Sequence, residues 1–88
     1  MTRRGKIARL PKNIRDQVNQ RLDDGEQGAR LVAWLNSLPE AQAILARDFD
    51  GKAIREQNLS EWRKGGYREW QATSQLLEMA QRLQPGTL

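Results

Sequence analysis

The stretch NLSEWRKGGYREW (residues 58–70) sets two tryptophans, several basic side chains and a Gly-Gly pair within one short run. Tryptophan is usually core or interface material, whereas arginine and lysine are usually solvated. A docked helix satisfies both, with one side in a core and the other in water. Leu59 and Trp62 lie three apart and share the inward side of a helix over about residues 55–64. Gly65-Gly66 ends it. A last helix follows from about Tyr67 to Gln84, before Pro85-Gly86, with Tyr67, Trp70, Leu76, Leu77, Ala80 and Leu83 among its apolar positions.

The same period runs upstream. LPKNIRDQVNQRLDDG (residues 10–25) places Leu10, Ile14, Val18 and Leu22 four apart, an apolar helical stripe. Pro11 suits the first helical position and Gly25 a stop. GARLVAWLNS (residues 28–37) carries Leu31, Trp34 and Leu35, with Leu38 one turn on. SLPEAQAILARDF (residues 37–49) opens on Pro39 and Glu40, both suited to a helix start. Its buried face is Ala41, Ile44, Leu45 and Phe49. Asp50-Gly51 marks a turn. No alternating β-branched run occurs. The fold class expected is all-α, a small bundle of about five helices with short connections.

The chain has 88 residues and suits one domain with a small core. The expected division is a flexible basic arm over residues 1–9, a single helical domain over 10–84 and a tail over 85–88. There is no cysteine and no histidine. Disulfides, thiolate chemistry, histidine acid–base catalysis and most zinc sites are therefore excluded. Ser60 and Ser74 have no histidine to activate them. DFDG (residues 48–51) fails the calcium-loop pattern, because Gly51 falls fourth and Leu59 stands where the twelfth-position glutamate belongs. GKA (residues 51–53) lacks the upstream glycine of a phosphate loop. No enzyme activity, metal, cofactor or small-molecule ligand is expected. No apolar run approaches the ~20 residues of a membrane span, so no membrane partner is expected and the protein reads as cytoplasmic.

The net charge of +4 is unevenly spread. Residues 1–21 carry +6, residues 22–50 carry −4, residues 51–70 carry +2 and the remainder is neutral. Positive charge thus gathers at the N-terminus and around the opening stretch, a distribution expected of nucleic-acid binding.

Residues 44–65, ILARDFDGKAIREQNLSEWRKG, resemble the helix-turn-helix of bacterial and phage DNA-binding proteins. Ala46 matches the small residue of the first helix and Gly51 the turn glycine. Ile54 matches the apolar residue after the turn, and Leu59 with Trp62 the inward pair. The interval from Ala46 to Ile54 is about three residues longer than in the compact motif, so the expected form is a variant helix-turn-helix with an extended turn. Taken with KIARLPKNIRDQVNQRL and LVAWLNSLP, the chain also resembles small helix-turn-helix proteins of Mu-like phages and mobile elements. That resemblance implies a regulator, an excision factor or a packaging component, working at the nucleoid of a bacterial or phage-infected cell.

If the helix near 55–64 is a recognition helix, Glu56, Gln57, Ser60, Glu61 and Lys64 face outward at spacings of three and four. Glutamine can pair with adenine, glutamate can accept from cytosine, and lysine can read guanine or phosphate. Arg55, Asn58, Arg63 and Lys64 suit phosphate contacts, which position without specifying. By the resemblance, Glu56, Gln57, Ser60 and Glu61 are the base readers. Arg3, Arg4 and Lys6 suit an arm entering the minor groove. The expected partner is double-stranded DNA. Two acids on the face, Glu56 and Glu61, weigh against it, and the polar face is equally what a solvated helix presents. The competing expectation is a small protein–protein interaction module, a phage adaptor or inhibitor of a host protein, using the acidic stretch 22–50 and the last helix. In that last helix Ala72, Leu76, Met79 and Leu83 follow a 4-3-4 seam spacing. Tyr67 and Trp70 are expected to fold back on the domain, leaving the distal half for a homodimer.

Overall fold

The computed structural model describes residues 5–83, the side chain of Leu83 excepted. A 3-10 turn, Ile7–Arg9, leads into α1 (Lys12–Asp23), α2 (Gly28–Ser37), α3 (Pro39–Asp48), α4 (Glu56–Lys64) and α5 (Gly66–Leu83). The fold is all-α, with no strand among the described residues.

The expected stripes build the core. Ile14, Val18 and Leu22 of α1, Leu31 and Leu35 of α2, Ala41 and Leu45 of α3, and Leu59 and Trp62 of α4 are all buried. Ile44, Phe49, Trp34 and Leu38 are partly buried around them. α1 ends in a paired motif: the Gly25 N–H donates to Leu22 O and the Glu26 N–H to Arg21 O, both at 3.0 Å. That geometry needs a left-handed residue, which Gly25 supplies at φ +82. Pro11 stands one position earlier than expected, as the cap before Lys12, with its carbonyl accepting from Ile14 and Arg15 at 3.0 Å. Leu38 alone joins α2 to α3, capping both in an extended conformation that the following Pro39 favours.

The arm expected over residues 1–9 is corrected in its second half. Ile7, within that stretch, is 1% exposed, and it joins Leu10, expected in the stripe of α1 and 2% exposed, in the core. Their spacing of three matches a 3-10 turn, and burial of two aliphatic side chains outweighs the basic character of the segment.

α3 packs chiefly on α2, whereas α4 packs on α2, α5 and the 3-10 turn. The connection between α3 and α4 is extended, as expected. It begins with two left-handed residues, Asp50 at φ 54 and Gly51 at φ 73. The Gly51 and Phe49 N–H groups both donate to Leu45 O, at 2.8 and 2.9 Å. The chain then continues without regular secondary structure to Arg55, itself extended. Asn36 of α2 holds this run like a strand partner: its Nδ2 donates to Ile54 O at 2.9 Å, and its Oδ1 accepts from the Ile54 N–H at 2.8 Å.

α4 stops at Gly65 and α5 starts at Gly66. A Cβ at Gly66 would overlap the indole ring of Trp62, whereas one at Gly65 would meet only Glu61 O at 4.0 Å. The two glycines therefore do different work: one breaks the helix and the other lets the tryptophan pack. The Trp62 indole N–H donates to Oδ1 of the buried Asn19 at 2.7 Å.

The first turns of α5 dock on the bundle. Tyr67 stacks on Trp70, with ring centroids 6.1 Å apart. Its hydroxyl accepts from Gln71 Nε2 at 2.9 Å and donates to Asp23 Oδ1 at 3.4 Å. Beyond Ser74 the helix leaves the domain, and every described side chain from Gln75 to Arg82 is exposed. The described chain measures 55 × 27 × 22 Å.

Candidate nucleic-acid interface

α4 is nine residues long and so about 13.5 Å from end to end. Leu59 and Trp62 fix its inner side. At 100° per residue, Gln57 and Lys64 lie most nearly opposite them, with Ser60 and Glu61 about 50° to either side. All four are exposed. The Glu61 Oε1 stands 3.5 Å from Gln57 Nε2. Glu56 and Arg63 lie beyond Ser60 and are also exposed. Glu56, the first helical residue, leans toward the start of α2: a Cβ added at Gly28 would stand 3.4 Å from its Oε1.

The amino end of α4 opens into a shallow cleft of about 400 Å³ lined by Lys6, Lys52, Arg55, Gln57, Asn58 and Glu61. Arg55 is the cap residue and its side chain is exposed. Lys52 was not singled out by sequence, since it sits in the turn and not on the helix. The extended connection carries it to the same end as Arg55. Basic groups thus stand at both ends of the exposed line, Lys52 and Arg55 at one, Arg63 and Lys64 at the other.

Two expected contacts have other employment. Lys6 is half-buried and its Nζ donates to Ala53 O at 2.9 Å. It pins the connection before α4 from the side opposite Asn36 and does not belong to a free arm. Asn58 is half-buried, and its Oδ1 accepts the Arg55 N–H at 2.9 Å. This satisfies one of the N–H groups that a helix start otherwise leaves unpaired, so Asn58 shapes the helix start rather than offering a free phosphate contact. Arg3 and Arg4 lie outside the described residues.

Among the described residues no cluster of three or more acidic side chains is placed to hold a metal ion, and no helix is long and apolar enough to cross a membrane. No family model matches the chain, and neither a curated protein nor a solved structure shows a significant likeness to it.

Proposed function

We propose that this chain is a non-enzymatic, sequence-specific double-stranded DNA-binding protein of the phage or mobile-element type, with α4 as its recognition helix in the major groove. One observation carries the reading. α4 is anchored by Leu59 and Trp62 on one side, while Gln57, Ser60, Glu61 and Lys64 stand open on the other with basic residues at both ends. A major groove about 12 Å wide accepts a helix of this kind. Gln57 and Ser60 would read base edges, with Glu56 and Glu61 accepting from cytosine at the flanks. Lys52, Arg55, Arg63 and Lys64 would hold phosphates.

The competing reading places a protein partner on the acidic stretch 22–50. Part of that charge is already answered within the chain. Glu26 is paired with Arg21 at 3.0 Å, and the Arg21 guanidinium also lies 4.1 Å over Trp34. Asp48 is paired with Arg47 at 3.0 Å and faces Arg9 at 3.9 Å. The hydrogen bond from Arg47 and the two positive charges hold the Asp48 carboxyl below the usual aspartate range.

The test is fluorescence anisotropy against random-sequence duplex DNA over a salt series. Four phosphate contacts give a log–log slope of about −3.6, so affinity falls roughly 100-fold between about 50 and 200 mM salt. Lys64→Ala should flatten the slope by about one contact. Gln57→Ala should leave random-sequence binding nearly unchanged and weaken binding to a selected site. No binding at low salt would sink the proposal and redirect the search to protein partners.

A further inference from the structure

The outer side of α4 holds one carboxylate among groups that suit DNA. Glu61 lies about 50° from the centre of that side, with Gln57 and Lys64 as its neighbours, whereas Glu56 lies about 90° away. Glu56 also leans on the start of α2. Glu61 is exposed. Ion pairs between described residues engage Asp16, Glu26 and Asp48, and Glu61 is in none of them. Lys64 stands one turn on without pairing to it, and Lys6, in the same cleft, gives its Nζ to Ala53 O. The contact that Glu61 makes is with Gln57 Nε2, at 3.5 Å.

A carboxylate left unpaired on a DNA-facing surface has two effects of opposite sign. It repels the phosphates of every sequence. It gains only where a base edge offers an N–H. In the major groove those are the N4 amino group of cytosine and the N6 amino group of adenine, while guanine shows two acceptors and thymine an acceptor with a methyl group. Adenine sets its N7 acceptor beside the amino group, so a carboxylate there meets a lone pair as well. Cytosine carries the donor with no acceptor of its own in that groove. We infer that Glu61 is the specificity filter of α4: it takes a cytosine amino group at the base it faces and lowers binding to every sequence that lacks one. The inference rests on the DNA-binding reading of α4 and adds to it the base and the sign of the acid's effect. Such an acid weakens the hold on DNA at large and sharpens the choice among sites, which accounts for a negative charge among positive ones on the presented side.

The test selects preferred duplexes from a randomised pool with the full chain and with its Glu61→Gln variant, and measures the affinity of both for random-sequence duplex by fluorescence anisotropy. Wild type should select cytosine at a position of its site that the variant shifts toward adenine, the base a glutamine pairs with in bidentate fashion. The preference for cytosine there should fall by roughly 5- to 150-fold, the worth of one mismatched pair. Affinity for random-sequence duplex should rise about threefold, the worth of one charge repulsion at about 7 Å in water. Glu40→Gln makes the same change in net charge at the start of α3 and should keep the wild-type cytosine. Far-UV circular dichroism should agree for all three proteins, because both glutamates are exposed. A selected site in which no cytosine responds to Glu61→Gln, or a variant that binds random sequence no more tightly than wild type, overturns the filter and leaves the DNA reading standing. Wild type that binds no duplex at low salt overturns both.

Discussion

Gly66 has no space for a methyl group, because the Trp62 ring occupies it. Gly66→Ala should therefore destabilise the fold by about 1–3 kcal/mol, the usual range for overpacking. Urea denaturation would read this as a lower midpoint at an unchanged slope, and Gly65→Ala should have a smaller effect. Asn19 makes a second residue-scale case. Removing its side chain takes the acceptor from a buried indole N–H, and Asn19→Ala should cost about 1–3 kcal/mol. A stability equal to wild type would show that water replaces the bond. Tyr67 links α5 to α1 through Asp23. Burial first, and the Asp23 carboxylate second, push its phenol above the ordinary value. The folded chain thus keeps this proton where the unfolded chain has lost it. The stabilising effect is complete below the ordinary tyrosine value of about 10 and declines as pH rises beyond it. Tyr67→Phe should remove that part of the alkaline loss, as seen by comparing thermal midpoints of the two proteins from neutral to alkaline pH.

At the scale of elements, the connection into α4 is held at its backbone rather than left as a loose loop. Asn36 and Lys6 hold it at adjacent carbonyls, Ile54 and Ala53. Asn36→Ala breaks two hydrogen bonds and should cost about 1–3 kcal/mol. It should also speed amide exchange at Ile54 and, on the DNA reading, weaken binding without touching the nucleic acid. Unchanged exchange at Ile54 would rule out the clamp. Neither holding residue was legible in the sequence. The helices were, because stripes such as Ile14, Val18 and Leu22 repeat within a turn and need no knowledge of what they pack on. Asn36 and Ile54 are eighteen residues apart, and Asn19 and Trp62 forty-three. Pairings at such separations leave no local period. The 3-10 turn was hidden for another reason: Leu10 reads with the stripe of α1, and Ile7, the buried residue of the turn, is outnumbered by neighbouring cations. The outer line of α4 could be read from spacing alone, but Lys52 could not be placed beside it until the path of the connection was known.

Over the whole molecule, support is unevenly shared. α2 lies at the centre, touching α1, α3 and α4, while α3 leans chiefly on α2. α4 takes its position from α2, α5 and the 3-10 turn, with α3 set apart from it by the long connection. The exposed end of α5 adds reach without adding core. Together these features give a small core with α4 on one part and the exposed end of α5 on another.

The single residue between α2 and α3 has a consequence for how the chain tolerates change in length. Leu38 ends one helix and begins the next, so there is no slack at that corner. One inserted residue would advance the phase of everything after it by about a hundred degrees, turning Ala41 and Leu45 out of the core. Beyond α3, the stretch between Gly51 and Arg55 is anchored by its backbone instead of by a helical face. Length variation in this chain should therefore be poorly accepted at the first junction and well accepted at the tip around Asp50, where the polypeptide turns in the open.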